Sequence, residues 1–166
     1  MEWKGKKVLV TGISGFIGSN LGKELLKRGA VIYAVDNFSY IDFDIARSKL
    51  SFLFEGVKVI WGDISKKDTW DNVPKDIEYI FHFAAPSSIT LFKREPTKCY
   101  NETVFGLWNA LEFAKNNNVK KVIYPSSGSN YAGNEMPHKE YLSLKPRNIY
   151  AAAKVACEGL EESYSD

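Results

Sequence analysis

Three glycines, Gly12, Gly15 and Gly18, stand at GxxGxxG spacing after the β-forming run Lys7–Val10 and lead into an amphipathic segment from Phe16 to Arg28. No other feature constrains the fold of this chain as strongly. Glycine lets a backbone turn tightly, approach a phosphate closely and pack a helix against a strand. A helix that starts at such a turn offers unpaired N–H groups and a positive dipole end to an anion. With a strand before it and a helix after it, the loop is predicted to cradle a pyrophosphate rather than only to reverse the chain. The next β run, Val31–Val35, ends in Asp36. An acid there accepts hydrogen bonds from the ribose hydroxyls of an adenosine and repels a 2′-phosphate. The following residues, Asn37, Phe38 and Ser39, include no arginine. Loop and acid together predict NAD rather than NADP as the ligand.

The rest of the chain repeats the same alternation. The helical spacing of Ile17, Leu21 and Leu25 stops at Gly29, and Asp42–Phe54 reads as a second helix stopping at Gly56. Val57–Trp61 is a predicted strand. Ser65 is expected to open a short helix with Asp68 as its capping partner. Ile77–Ala85 is an apolar run. Pro96 suits the first turn of a long helix with apolar positions at Tyr100, Val104, Leu107, Trp108, Leu111 and Ala114. Lys121–Tyr124 is a fifth predicted strand and Tyr150–Glu162 an alanine-rich final helix. Strands and helices in this cadence predict an α/β fold, a doubly wound parallel sheet between two helical layers with right-handed crossovers.

With 166 residues the chain has the size of one domain. Its 45% hydrophobic and 25% charged residues fit a globular protein and are too apolar for disorder. A net charge of +2 and the lack of a basic cluster argue against nucleic acid or an anionic membrane as partner. No apolar stretch is long enough to span a bilayer, and the first residues do not read as a secretory signal. The 2 cysteines, Cys99 and Cys157, form no CxxC, zinc or disulfide pattern, so a reducing, cytoplasmic setting is expected. His82 and His138 have no metal-ligand spacing and no triad partners; both are expected to be structural or solvent-facing, and no metal is expected.

Tyr150 and Lys154 lie four residues apart and share a helix face. Tyrosine is a poor base at neutral pH unless a nearby cation favours its phenolate. Taken alone the spacing is common and a packed Tyr beside a solvated Lys explains it. It gains force from Ser126 and Ser127 at the end of the fifth strand, because ligands in open α/β sheets sit outside the carboxyl ends of the strands.

These residues together resemble the extended short-chain dehydrogenase/reductases, the group of NAD-dependent nucleotide-sugar epimerases and dehydratases. Thr11–Gly18 is similar to the family's TGxxGFIG loop, with Gly12, Gly15, Phe16, Ile17 and Gly18 as its cofactor contacts. Asp36 and Asn37 resemble the ribose-binding strand end. Gly62-Asp63-Ile64 resembles the adenine-holding segment, and Phe81–Ala85, with Ala84 and Ala85, the stretch beside the cofactor. Asn101 matches the helix asparagine of the family, and Ser126 is placed among the cofactor contacts. The resemblance implies a Rossmann-type NAD(P)-binding domain over residues 1–166, with Ser127, Tyr150 and Lys154 as the catalytic triad. Tyr150 would be the acid/base, Lys154 would hold the nicotinamide ribose and tune Tyr150, and Ser127 would bind the sugar oxygen. The implied substrate is a UDP- or GDP-sugar or a similar nucleotide-sugar. The implied assembly is a homodimer built on the helix from Thr97 and the Tyr150 helix; Tyr100, Phe105, Leu107, Trp108 and Phe113 lie on more than one face of the former.

Two departures refine the expectation. Dehydratases of the group carry Asp-Glu directly after the catalytic hydroxyl, where this chain has Gly128 and Ser129, so an epimerase is favoured, with a reductase or decarboxylase relative still open. Family members also continue into a last strand or two and a C-terminal lobe that grips the nucleotide-sugar. The chain is therefore expected to be the cofactor-binding portion, truncated before that lobe, and weakly active or inactive by itself. The competing reading is a non-catalytic NAD-binding module, a sensor or scaffold on the same fold. Such a module needs only the glycine loop and Asp36, whereas Ser127, Tyr150 and Lys154 favour an enzyme.

Overall fold

A computed structural model describes residues 2–40, 51 and 56–165. Five parallel strands form one sheet: β1 (Lys7–Thr11), β2 (Val31–Asp36), β3 (Val57–Trp61), β4 (Tyr79–His82) and β5 (Lys121–Ile123), in spatial order β3-β2-β1-β4-β5. The chain steps outward from β1 to β3, then returns to the other side of β1 for β4 and β5. The carboxyl ends of β1 and β4 are therefore where the winding reverses, and a crevice opens there.

Successive side chains of β1 point to opposite faces, which splits the core in two. Val8 and Val10 join Ile13, Leu25, Ala30, Ile32 and Ala34 beneath α1 (Phe16–Lys27). Leu9 joins Val35, Trp70, Ile80, Ala110 and Phe113 on the other face, beneath α2 (Lys67–Asp71) and α4 (Pro96–Asn116). The last helix, α5 (Ile149–Ser163), packs along α4 through Leu107, Leu111 and Cys157, while Phe92 of α3 (Ile89–Arg94) meets Cys99 and Ala153. A 3₁₀ turn at Gly128–Tyr131 links β5 toward α5.

The predicted helix at Asp42–Phe54 lies outside the described residues apart from Ser51. Three expectations change. Ser65 does not cap α2: its N–H and its hydroxyl both donate to Asp63 Oδ1, at 2.9 and 2.8 Å, and Lys66 holds the cap position without a side-chain bond. The nearer carboxylate, two residues back, outcompetes the helix end. The run Ile77–Ala85 contributes a strand only over Tyr79–His82, since the chain leaves the ladder to form the crevice. Helix α3 was not anticipated; Ser88 caps it by accepting the Leu91 N–H at 3.3 Å. Of the five apolar residues placed around α4, Leu107 and Phe113 are buried, while Tyr100, Phe105 and Trp108 remain exposed.

Candidate cofactor and active site

The crevice at the winding reversal is a cleft of about 860 Å³. Gly12, Ser14, Gly15 and Phe16 form its floor, Asp36, Asn37 and Tyr40 one flank, and Gly62, Asp63, Ile64 and Glu102 another. Phe83, Ala84 and Ala85 close the side toward β4. The glycines have distinct duties. Gly12 has φ +70°, and a Cβ there would stand 2.7 Å from the Ala84 nitrogen. A Cβ on Gly18 would collide with the Gly12 carbonyl oxygen, so that glycine sets how closely α1 seats on the loop. Gly15 is the helix N-cap and has no side-chain cap, which leaves the first N–H groups of α1 unclaimed by side chains. A loop whose glycines at 12 and 18 pack directly on neighbouring main chain, ahead of a helix start with no side-chain cap, fits a pyrophosphate.

Asp36 is fixed by its own surroundings. Oδ2 accepts the Ser14 N–H at 2.8 Å and Oδ1 accepts the Phe38 N–H at 2.7 Å. The carboxylate is thus welded between the glycine loop and the turn that follows β2. It keeps lone pairs for further donors, because each oxygen accepts more than one bond.

Beneath the cleft the Thr11 hydroxyl accepts the Ala84 N–H at 3.1 Å and lies 3.0 Å from His82 Nδ1. His82 is fully buried and its Nε2 has no partner. Burial, with the Lys154 charge adding to it, pushes its pKa down to about 3. His82 is a neutral strut that holds the β1 and β4 ends together.

Ser127, Tyr150 and Lys154 do not line this cleft; Lys154 is only 5% exposed. Its Nζ donates to the Pro125 carbonyl at 2.9 Å and stands 4.1 Å from the centre of the Tyr124 ring. Burial lowers its pKa, opposed by nearby Cys157 and Glu161. Tyr150, one helical turn earlier, is half-buried edge-on to Phe92 at 5.4 Å. Ser127 Oγ lies 2.7 Å from Ser129 Oγ and accepts the Ser129 N–H at 3.2 Å. The Lys154–Pro125 bond ties α5 to the strand end that carries Ser127.

The remaining predicted contacts are scattered. Ser126 is exposed and donates to Glu158, which also accepts the Asn130 amide at 2.8 Å. Ile17 is exposed outside the cleft lining, and Asn101 is exposed on α4 while its neighbour Glu102 faces the cleft. Reading the sequence missed Glu102, Tyr40 and Ser14. For Ser14 a signal existed, since it sits inside the glycine loop; for Glu102 only the rotational setting of α4 reveals it. Among the described residues no group of three or more His, Cys, Asp or Glu is placed to hold a metal, and no helix is long and apolar enough to cross a membrane.

The chain matches known proteins along nearly its whole length. UDP-glucuronate 4-epimerase 3 of Arabidopsis thaliana is 31% identical over 171 residues, covering 98% of this chain and 39% of that protein. UDP-glucuronate 4-epimerase of Thermodesulfobacterium geofontis is 32% identical over 162 residues, covering 94% and 50%. Among solved structures, UDP-N-acetylglucosamine 4-epimerase from Methanobrevibacter ruminantium in complex with UDP-N-acetylmuramic acid superposes with a TM-score of 0.85 at 33% identity, over 97% of this chain and 51% of that one. UDP-glucose 4-epimerase of Thermus thermophilus, solved with NAD, gives a TM-score of 0.83 at 27% identity, over 95% and 50%. The chain thus spans two fifths to one half of the length of these relatives. The NAD dependent epimerase/dehydratase family model covers residues 8–166. That match runs from the first strand through the last helix, so the chain belongs to the NAD dependent epimerase/dehydratase family.

Proposed function

We propose that residues 1–166 are the cofactor-binding domain of a nucleotide-sugar 4-epimerase, working on a UDP-sugar. NAD is the cofactor of the family. When bound, it supplies an acceptor for the hydride of the sugar carbon and gives that hydride back. Gly12, Gly15 and the start of α1 would hold its pyrophosphate, Asp36 its adenosine ribose, and Asp63 and Ile64 its adenine. The deprotonated Tyr150 oxygen would take the proton of the sugar hydroxyl as that carbon is oxidised, and the hydroxyl so formed would return it when the carbon is reduced. Ser127 holds the same sugar oxygen, exchanging its bond with Ser129 for one with the substrate. Lys154 lies one helical turn from Tyr150 and would hold the nicotinamide ribose there. The observation that carries this reading is the 2.9 Å Lys154–Pro125 bond, which seats the Tyr150 helix on the Ser127 strand end. Gly128 and Ser129, where a dehydratase carries an acid pair, support epimerisation over elimination.

The exposed Tyr100, Phe105 and Trp108 beside the α4–α5 pair support a homodimer across these helices. Free, buried Cys99 and Cys157 support a cytoplasmic setting.

Calorimetry with NAD, followed by NMR observation of C4 inversion in UDP-glucuronate, UDP-glucose and UDP-N-acetylglucosamine, tests the proposal. Tyr150→Phe is expected to slow inversion by about 10²- to 10⁴-fold while NAD still binds. Equal inversion rates in the two proteins overturn the role of Tyr150. NAD binding with no inversion of any of the three sugars is the result expected of the cofactor-binding portion alone, whereas no binding of NAD overturns the reading.

A further inference from the structure

The chain leaving β2 is bent sharply. Asp36 Oδ1 accepts the Phe38 N–H, and Phe38 has φ +56°, a left-handed backbone that a bulky residue rarely adopts. Phe38 is held there by stacking on Trp61 of β3, with ring centres 5.0 Å apart and planes at 29°. Two residues later Tyr40 reaches across to α4, and its hydroxyl donates to Glu102 Oε2 at 2.8 Å. Glu102 is only 8% exposed, although it carries a carboxylate, and both residues line the cleft. A buried carboxylate needs a donor, and the Tyr40 hydroxyl supplies one. Lys98 adds a cation 6.0 Å from the centre of the Tyr40 ring. The flank bearing Asp36, Asn37 and Tyr40 is thereby joined directly to the helix that forms the opposite wall.

We propose that the Tyr40–Glu102 hydrogen bond is a clasp over the adenosine end of the cleft, whose closure sets how long a dinucleotide stays bound. This inference rests on the reading of the cleft as the NAD site. The two residues are positioning residues. Asp36 and the glycine loop give the ligand its recognition contacts; the clasp joins the walls on either side of it. Loss of the bond therefore raises the rate of release more than it alters the rate of capture, because binding through an open clasp needs no prior closure. The contact requires a donor at Tyr40 and an acceptor at Glu102, and a neutral amide oxygen satisfies the latter.

Stopped-flow fluorescence of ADP-ribose binding and release tests the clasp in the whole chain, with thermal unfolding of each variant alongside. Tyr40→Phe is expected to accelerate ADP-ribose release about 5- to 10-fold with association changed less than twofold, the loss of one hydrogen bond to a charged group. Glu102→Gln keeps an acceptor and is expected to stay within about twofold of the parent. Glu102→Ala is expected to match Tyr40→Phe. Unchanged release from Tyr40→Phe, or Glu102→Gln as fast as Glu102→Ala, overturns the clasp while leaving the cofactor site standing. No binding of ADP-ribose by the unaltered chain overturns the cofactor reading and the clasp together.

Discussion

Around the glycine loop the candidate site is made of backbone, and around Tyr150 it is made of side chains. The glycine loop presents peptide groups whose positions are dictated by close contacts: Gly12 against Ala84, Gly18 against the Gly12 carbonyl. Even Asp36 is anchored by two main-chain N–H groups. In the second region each candidate reactive group already has a side-chain or carbonyl partner of its own, Ser127 with Ser129, Lys154 with Pro125 and Tyr124, Tyr150 against Phe92. The contrast separates functions that tolerate rearrangement from those that do not. A pyrophosphate is bound the same way throughout a reaction, so a rigid steric cradle suits it. A proton-transfer site must exchange partners as substrate enters, so it is built from bonds that can be traded.

Glycine substitutions in the two regions give the largest contrast. Gly12→Ala combines a left-handed backbone with a clash against the Ala84 main chain, and is expected to cost about 3 kcal/mol of stability and to abolish NAD binding. At Gly128, beside Ser127, an added methyl would meet nothing within 4 Å. Gly128→Ala is expected to be neutral within about 0.5 kcal/mol. Denaturant titration of both variants measures the difference. A Gly12→Ala loss below about 1 kcal/mol would mean that the loop relaxes and that steric rigidity is not what distinguishes the glycine-loop region.

Next in size is the strut shared by the two regions. His82 belongs to the β4 end beside the glycine loop, yet it feels the charge of Lys154. Its folded pKa, about 3, lies below the ordinary 6.5. A base depressed in this way binds its proton more readily when unfolded. Its depressed pKa adds no pH-dependent cost above pH 6.5; stability falls as pH drops from 6.5 toward 3, and the loss ends below the folded value. His82→Gln is expected to flatten this stretch of the acid limb. Superimposable stability profiles of parent and variant between pH 6.5 and 3 would contradict the neutral strut.

The smallest effect on folding is expected behind Tyr150. The Trp108 indole donates to the Tyr164 hydroxyl at 3.0 Å, and Phe105 lies beside Trp108 with its ring centre 5.8 Å away. Phe105→Lys is expected to change stability by no more than about 0.5 kcal/mol, yet to convert a dimer to a monomer in light scattering. A parent that is already monomeric at high concentration removes the proposed interface.

Residue choice alone makes some features legible. The turn between β1 and α1 is readable because its requirement is local: only glycine adopts the conformation of Gly12 cheaply, and Gly18 follows at a fixed spacing. The long helix α4 is readable from Pro96 and its apolar period. Neighbouring residues are harder. Asn101 and Glu102 differ by about 100° around the helix, so which one meets the cleft depends on how α4 seats on the sheet. The Ser65 cap fails for a related reason, since Asp63 draws both the N–H and the hydroxyl of that serine to itself. Helix α3 has a signal in Ser88, but it is too short for its period to show.

The order of strands and helices along the chain and the glycine turn follow from residue types and their spacing, because each depends on backbone freedom or on a few neighbouring positions. Packing had to decide the rest: that Glu102 meets Tyr40, that His82 is buried with Nε2 unpartnered, and that Lys154 is spent on the Pro125 carbonyl. Those contacts join segments far apart in the chain, and they exist only where the sheet and its helices bring them within hydrogen-bond reach.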